Sequence, residues 1–170
     1  MPQQNTARAK QIRTGGPPTA EQVEQWLFGL GQFSLQLDNY RLTAPSPVRQ
    51  RLGPLCGQEF VFSFWDGARL RIIPKTLWIP YLNCLCAGIK DPAKAKDLVS
   101  RLSRGCATRR LDRHNRWDLP VNLAKQAGLG CRNNAVMLLP CRFWLEAVSL
   151  ETWEAFLSET FQCIRGATMV

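Results

Sequence analysis

The sequence of 170 residues predicts an α+β fold, mostly β, made of two similar units in one chain. The first observation is an internal repeat, in which Leu37 to Arg41 and the following Pro45 return as Leu111 to Arg116 and the following Pro120. From Arg41 onward the copies keep an offset of 75 residues, and matched pairs include Gly53 with Gly128, Cys56 with Cys131, Val61 with Val136, Leu70 with Leu145 and Trp78 with Trp153. The second observation is that short alternating segments, bounded by turn residues, are typical of strands. Because units this small are marginal alone, we expect them to bury their faces against each other.

The first unit is expected over residues 21–90, after a flexible basic tail over residues 1–20 that is interrupted by Gly15-Gly16-Pro17-Pro18. Its predicted elements are a short helix over 21–30, a strand over 32–37, a turn over 38–40, a strand over 41–44, a helix from Ser46-Pro47 to Gly53, a hairpin of 59–64 and 68–73 around Trp65-Asp66-Gly67, and a helix from Pro74 to about Ala87. Serine followed by proline favours a helix start, glycine favours a helix end, and an Asp-Gly step suits a tight turn.

The second unit is expected over residues 106–165, after a connecting helix over 91–105. Its predicted elements repeat the order of the first: a strand over 106–111, a turn over 112–115, a strand over 116–119, a helix over 121–127 ended by Gly128, a hairpin over 134–147 and a last helix from Ser149 to about Cys163. Phe60, Phe62, Phe64 and Trp65 resemble a stacking platform for single-stranded nucleic acid. Their counterparts in the second unit are mostly aliphatic, however, so we interpret them as packing residues.

The net charge of +9 is concentrated in one stretch of the chain. Residues 94–116 hold two acidic residues, Asp97 and Asp112, and eight basic ones: Lys94, Lys96, Arg101, Arg104, Arg109, Arg110, Arg113 and Arg116. A concentrated basic surface attracts polyanions, first of all nucleic acid, although a solvated helix face is an equal alternative for such a run on its own. The longest uncharged run, 76–89, is too short to span a membrane, and residues 1–16 contain no apolar secretion signal. We therefore expect a cytoplasmic protein with no membrane partner.

Catalysis and metal binding find little support in the sequence. Seven cysteines without an export signal suggest buried thiols rather than disulfides, and His114 is the single histidine. No phosphate-binding glycine loop or nucleophile elbow is present, so we expect no enzyme, no catalytic residues, no cofactor, no metal and no small-molecule substrate. A nucleophilic pair of Cys106 and His114 is a minor alternative.

The repeated turns are the main indication of function. Asp38 and Asp112 can accept hydrogen bonds from backbone amides and organise their turns, with Asn115 tolerating the left-handed region, while Arg41 and Arg116 offer guanidinium groups that fit phosphate or guanine edges. The same surface would include further DNA-binding candidates around the second turn: Arg109, Arg110, Arg113 and His114. The alternative is that each aspartate and arginine simply pair across a tight turn.

These residues resemble the MraZ family of bacterial transcriptional regulators over about 30–157. The resemblance rests on Leu30 to Asp38 and Arg41 to Pro45, and more closely on a set of segments in the second half: Asp112 to Arg116, Leu119-Pro120, Ala127-Gly128-Leu129, Val136-Met137-Leu138, Leu145-Glu146 and Trp153-Glu154. It implies two AbrB-like swapped-hairpin units per chain, assembled into a nucleoid-associated homo-oligomeric ring that binds short tandem repeats of promoter DNA. It also implies that the arginine of each Asp-x-x-x-Arg motif is presented to double-stranded DNA.

The two motifs of this chain depart from that pattern in different ways. The second keeps its full length from Asp112 to Arg116, whereas the first, Asp38 to Arg41, is one residue short. Tyr40 and Asn115 stand where the family has glycine, and tyrosine tolerates the left-handed region less well than asparagine. We therefore expect Arg116 to contribute more to DNA binding than Arg41. The alternatives are a protein-interaction or scaffolding ring that has lost specific DNA binding, and a nucleic-acid binder that uses charge alone.

Overall fold

The computed structural model describes residues 17–64, 68–131 and 133–167, without the side chains of 54–56 and 162–167. It contains six α-helices, eight strands and a 3-10 turn over Lys75–Leu77. The strands are β1 (Phe33–Asp38), β2 (Arg41–Thr43), β3 (Glu59–Phe64), β4 (Leu70–Pro74), β5 (Ala107–Arg110), β6 (Arg116–Asp118), β7 (Ala135–Cys141) and β8 (Trp144–Ser149). The helices are α1 (Ala20–Leu27), α2 (Ser46–Cys56), α3 (Trp78–Cys86), α4 (Pro92–Gly105), α5 (Val121–Gln126) and α6 (Leu150–Ala167). The predicted α+β class is confirmed.

The eight strands form one antiparallel sheet that nearly closes into a barrel. Their order is β5-β3-β4-β8-β7-β1-β2-β6. The two outermost strands in this order, β5 and β6, follow each other in the chain, and a bridge between Leu111 and Trp117 brings them together. The turn between β5 and β6 therefore lies where the two end strands of the sheet come together. Closure of this kind removes the exposed edges that an open sheet would leave.

Pairs of strands from the two halves of the chain alternate along the sheet, in the order β3-β4, β8-β7 and β1-β2, with β5 and β6 of the second half at the two ends. β1 of the first half pairs with β7 of the second, and β3 of the first half pairs with β5 of the second. Where β2 meets β6, Leu42 lies opposite Trp117, and where β4 meets β8, Arg71 lies opposite Glu146. Both pairs are separated by 75 residues, which is the offset of the sequence repeat. Equivalent residues of the two halves therefore face each other at two seams.

The core fills the inside of this sheet and the space beneath the helices. Phe60 and Phe62 are buried, as predicted, and the ring of Phe60 meets the edge of the fully buried Trp117 at a centroid distance of 5.4 Å. Phe64 is half-buried, and Trp65 lies outside the described residues. The indole N–H of Trp117 has no hydrogen-bond partner among the described atoms. Aromatic packing, rather than nucleic-acid stacking, accounts for the first two phenylalanines.

The helices differ from the sequence predictions mainly at their ends. Thr19 and Gln22 form a capping box before α1. α2 continues through Gly53 to Cys56, so the prediction that Gly53 ends it is wrong; Gly57, at φ +72°, follows the last turn. The first residues after Pro74 form the 3-10 turn rather than the start of α3, and α6 extends beyond its predicted end. The tail was predicted over residues 1–20; residues 1–16 lie outside the described residues, whereas Thr19 caps α1 and Ala20 belongs to it, so the tail ends earlier than predicted. The predicted turn over 65–67 also lies outside the described residues. In the part of the chain that the structure describes, no helix is long and apolar enough to cross a membrane.

Candidate nucleic-acid interface

The second repeated turn is organised around Asp112. One carboxylate oxygen, Oδ1, accepts the backbone N–H of His114 at 2.7 Å and that of Arg116 at 2.9 Å. The other oxygen, Oδ2, accepts from both Nε and Nη2 of the Arg116 guanidinium at 2.9 Å. Asn115 takes the left-handed conformation, at φ +60°. The predicted organising role of Asp112 therefore fits the geometry, and so does the alternative in which this aspartate pairs with its own arginine.

These contacts affect the electrostatics of the turn. The backbone N–H of Arg116 is the main cause that holds the pKa of Asp112 below its usual value, and the guanidinium of Arg116 and the N–H of His114 act in the same direction. The Arg116 side chain is 28% exposed, so it reaches solvent while paired. Arg113 and His114 are exposed, with Nε of Arg113 donating to Nε2 of the imidazole at 3.1 Å. Only Arg116 among these three is held by a carboxylate.

The first repeated turn is built differently. Asp38 pairs with Arg41 in the register of β1 and β2, which leaves two turn residues, Asn39 at φ +47° and Tyr40 at φ +60°. Two positive φ angles define a type I′ turn, whose twist matches that of the flanking strands. Asp38 makes no side-chain hydrogen bond to the residues that the structure describes. The shortened motif thus forms a regular hairpin turn that the backbone itself maintains.

Tyr40 is tolerated at this position because of its surroundings. Its carbonyl accepts the backbone N–H of Leu119 at 2.8 Å, which ties the turn to the segment after β6. Its ring lies beside Gly130, where an added Cβ would stand 3.4 Å from the tyrosine ring and 3.2 Å from Leu37. The absence of a side chain at residue 130 therefore leaves room for the ring. The structure shows that the tyrosine adopts the left-handed conformation which sequence reasoning considered unfavourable.

The pairing of β2 with β6 brings the two turns together. Arg41 lies opposite Asp118 and Thr43 lies opposite Arg116, while Leu42 and Trp117 between them point into the core. Because directly opposite residues share a face and alternate residues along a strand share it too, Arg41 and Arg116 lie on the same outer face. Diagonal neighbours in such a ladder are about 7–8 Å apart. Arg41 is exposed and forms no ion pair with the described residues.

The two candidate cations of β5 are both exposed but lie on different faces of the sheet. Leu111 lies opposite the buried Trp117 and Arg109 lies opposite the buried Phe60, so Arg110 between them lies on the outer face with Arg41 and Arg116. Arg109 lies on the other face, and its Nη1 donates to the carbonyl of Thr108 at 3.0 Å, so the prediction that Arg109 belongs to the same surface is not supported by the register. We call the set Arg41, Arg110, Arg113, His114 and Arg116 the tip surface. Within it, every cation except Arg116 is exposed.

A buried charged network is a feature that the sequence analysis missed. Arg71 Nε donates to Glu146 Oε1 at 3.2 Å, and Arg71 Nη1 donates to the hydroxyl of Tyr81 at 2.8 Å. Trp144 Nε1 also donates to Oε1, at 3.3 Å, and Arg69 pairs with Oε2 at 3.1 Å. The sequence contained an indication of this network, because Arg71 and Glu146 occupy equivalent positions of the repeat, each within a largely apolar strand. The network joins β4 to β8 and lies beside an open cleft of about 510 Å³ between α1 and α6.

The alternative nucleophilic pair is not supported by the local contacts. The thiol of Cys106 donates to the carbonyl of Ser103, and burial raises its pKa. His114 instead accepts from Arg113. Among the described residues, no group of three or more histidine, cysteine, aspartate or glutamate side chains has the arrangement of a metal site. The tip surface is therefore the best-developed candidate site.

Comparison with known proteins adds no family assignment. No protein-family model matches the chain, and none of the curated proteins compared with it is significantly similar.

Proposed function

We propose that the protein is a DNA-binding transcriptional regulator that resembles the MraZ family and acts as a nucleoid-associated homo-oligomer. The observation that carries this proposal is the placement of Arg41 and Arg116 on one outer face where β2 meets β6. Two arginines whose backbone positions have this spacing, with the exposed Arg110 of β5 on the same face, suit consecutive phosphates or base edges of a duplex. Several copies along tandem repeats would add avidity to weak individual contacts.

The strand exchange between the halves supports the same proposal. The pairing of β1 with β7 and of β3 with β5, and the facing of repeat counterparts at two seams, are what two interlocked hairpin units of the AbrB type would give. In such an arrangement the two basic turns come to one end of the molecule. The fold would thus act as a frame that holds both turns at a constant separation.

The decisive experiment is selection of bound duplexes from a random pool, followed by titration of the preferred duplex. We expect enrichment of short tandem repeats and a large loss of affinity in the double variant Arg41→Ala/Arg116→Ala. Arg142→Ala is a matched control, because Arg142 also pairs with a carboxylate, that of Glu24 at 3.5 Å, but lies outside the tip surface and outside the basic stretch 94–116. No enrichment, or equal losses in the control and the double variant, would overturn the proposal.

One observation favours the alternative of a scaffolding oligomer without specific DNA binding. The guanidinium of Arg116 is engaged by Asp112, and several large apolar side chains are exposed away from the tip surface, among them Phe28, Ile79 and Phe161. Such residues suit contacts between proteins. A protein that binds DNA through charge alone would instead lose affinity equally for all sequences as salt rises. Titrations of matched and scrambled duplexes at two salt concentrations separate all three.

A further inference from the structure

The open cleft of about 510 Å³ between α1 and α6 has the character of a small-molecule site. Such sites have volumes of roughly 300–1,000 Å³ and a lining that is mostly apolar, with a few polar groups that converge. Here α1 and the turn after it contribute Leu27 and Phe28, α6 contributes Trp153, and β7 contributes Leu139. None of the five residues of the tip surface lines this cleft. The cleft is therefore a candidate site separate from the tip surface.

The charged groups at the cleft leave an excess of positive charge. The carboxylate of Glu146 lines the cleft with 4% of its side chain exposed, and it is bound by Arg69 at 3.1 Å and by Arg71 at 3.2 Å. At the rim, Arg142 pairs with Glu24 at 3.5 Å, and both side chains remain about half exposed, so this pair is weak. Three guanidinium groups thus meet two carboxylates among the described residues of the cleft and its floor.

The thiol of Cys141 shows that these charges converge on one small volume. Cys141 lines the cleft and is half-buried. Burial is the main cause that raises its pKa, and the carboxylate of Glu146 acts in the same direction, whereas Arg71, Arg69 and Arg142 act in the opposite direction. All four charged groups are therefore close enough to affect the ionisation of one side chain inside the cleft.

Arg69 is the cation best placed to bind an anion there. Its side chain is 39% exposed, and Nη1 is the one guanidinium nitrogen that contacts a carboxylate of the described residues. The remaining N–H groups are donors that a ligand can use. The guanidinium lies 5.7 Å from the ring centroid of Phe156, which stacks with Trp153 at a centroid distance of 5.6 Å. A cationic donor therefore adjoins a pair of stacked aromatic rings.

We propose that this cleft binds a small aromatic carboxylate. The carboxylate of the ligand accepts hydrogen bonds from Arg69, and its flat ring lies against Trp153 and Leu139. A smaller cavity of about 60 Å³ shares these three residues with the cleft and extends to Val148, so a substituent on the ring has room. The excess of guanidinium groups repels a cationic ligand. The inference goes beyond the proposed function and does not depend on the DNA contact.

Three probes with the same ring system test the charge of the ligand. They are naphthoate, which is anionic, naphthamide, which is neutral, and naphthylmethylammonium, which is cationic. In calorimetric titrations of the full chain, the dissociation constant of naphthoate should be at least about tenfold lower than that of either other probe, because hydrogen bonds between charged groups are the stronger ones. Bound naphthoate should also slow the alkylation of Cys141 by iodoacetamide, measured by peptide mass spectrometry, and leave the exposed Cys131 unaffected.

Two variants test the residues of the cleft. Arg69→Gln removes the guanidinium, so it should raise the dissociation constant of naphthoate at least about tenfold and that of naphthamide less than about twofold. Phe28→Ala truncates a side chain that is 85% exposed, so it leaves the fold intact and should weaken the binding of both probes alike. Arg101→Gln is the control, because Arg101 also pairs with a carboxylate, that of Asp97 at 2.8 Å, but lies on α4. Circular dichroism confirms that each variant is folded.

Four outcomes would overturn the proposal. They are a naphthoate that does not bind at millimolar concentration, equal affinity for the three probes, a folded Arg69→Gln that binds naphthoate as the native protein does, and alkylation of Cys141 that bound naphthoate does not slow. If Arg69→Gln does not fold, the probe series and Phe28→Ala decide the question. Loss of duplex binding in Arg41→Ala/Arg116→Ala tests the proposed function separately, because neither arginine lines the cleft.

Discussion

The two arginines of the tip surface are expected to contribute unequally to DNA binding, in the order opposite to that suggested by motif length. Arg41 is exposed and unpaired among the described residues, so Arg41→Ala removes a complete contact, worth about 1–3 kcal/mol or roughly 5- to 150-fold in affinity. Arg116 must first give up its pair with Asp112. An ion pair at the surface holds its partners only weakly, so we expect the loss of affinity in Arg116→Ala to be up to about fivefold smaller than that in Arg41→Ala.

Asp112→Asn isolates the effect of the ion pair. The asparagine keeps Oδ1 as an acceptor for the backbone N–H groups of His114 and Arg116, so the turn is maintained, but it removes the negative charge that holds the guanidinium. We expect DNA affinity to rise by up to about fivefold. In Asp112→Asn/Arg116→Ala the rise should disappear, because no guanidinium is left to release.

Fluorescence anisotropy with one preferred duplex, at about 50 and 200 mM salt, measures the DNA affinity of the native protein and of these four variants. Each lost phosphate contact should also reduce the salt slope by about 1. Arg142→Ala controls for the general loss of a positive charge from a comparable arginine–carboxylate pair. The reasoning is refuted if Arg116→Ala weakens binding more than Arg41→Ala, or if Asp112→Asn weakens it while the thermal stability is unchanged.

Three further predictions concern stability. The pKa of Asp112 is lower in the folded than in the unfolded protein, so its carboxylate stabilises the fold above about pH 4, and this stability is lost as the pH falls through the folded pKa. The difference in melting temperature between the native protein and Asp112→Asn should therefore shrink below about pH 4. In urea unfolding, Gly130→Ala should lower the free energy of unfolding more than Gly29→Ala. Both glycines have positive φ, which costs alanine about 1 kcal/mol, but only a Cβ at residue 130 would meet neighbouring side chains, so equal losses would contradict this prediction. Glu146→Ala should lower the free energy of unfolding by about 3–5 kcal/mol because it removes the carboxylate that pairs with the buried Arg71, and a loss below about 1 kcal/mol would show that other contacts of Arg71, such as that with the Tyr81 hydroxyl, compensate for it.

Local sequence patterns predicted most elements of the fold. β3 has the predicted bounds, Glu59–Phe64, and both repeated turns lie where the repeat placed them. The predicted end of α2 was wrong because the helix continues through Gly53 to Cys56, although glycine within a helix costs about 1 kcal/mol. A local preference of this size is readily overridden by packing against neighbours distant in sequence, which one segment does not reveal.

The tip surface was predictable in its residues but not in its geometry. The repeat identified Arg41 and Arg116, yet their common face follows from the pairing of β2 with β6, a contact between segments 75 residues apart. The turn of Tyr40 also depends on a distant segment, because its carbonyl accepts the backbone N–H of Leu119 and its ring packs beside Gly130. Closure of the sheet through Leu111 and Trp117 depends in the same way on the seven strand pairings that join β5 to β6.

The two seams show what a duplicated unit within one chain permits. If two identical units met about such a seam, the residue at its centre would face its own copy, and arginine would face arginine in the core. Here the counterpart of Arg71 is Glu146, so the buried position holds an attractive pair that three further groups complete. The counterpart of Leu42 is Trp117, which fills the other seam with one small and one large side chain. At the tips the same divergence leaves Arg41 without an ion pair among the described residues and Arg116 paired with Asp112, so we expect the two turns to contribute unequally to DNA binding.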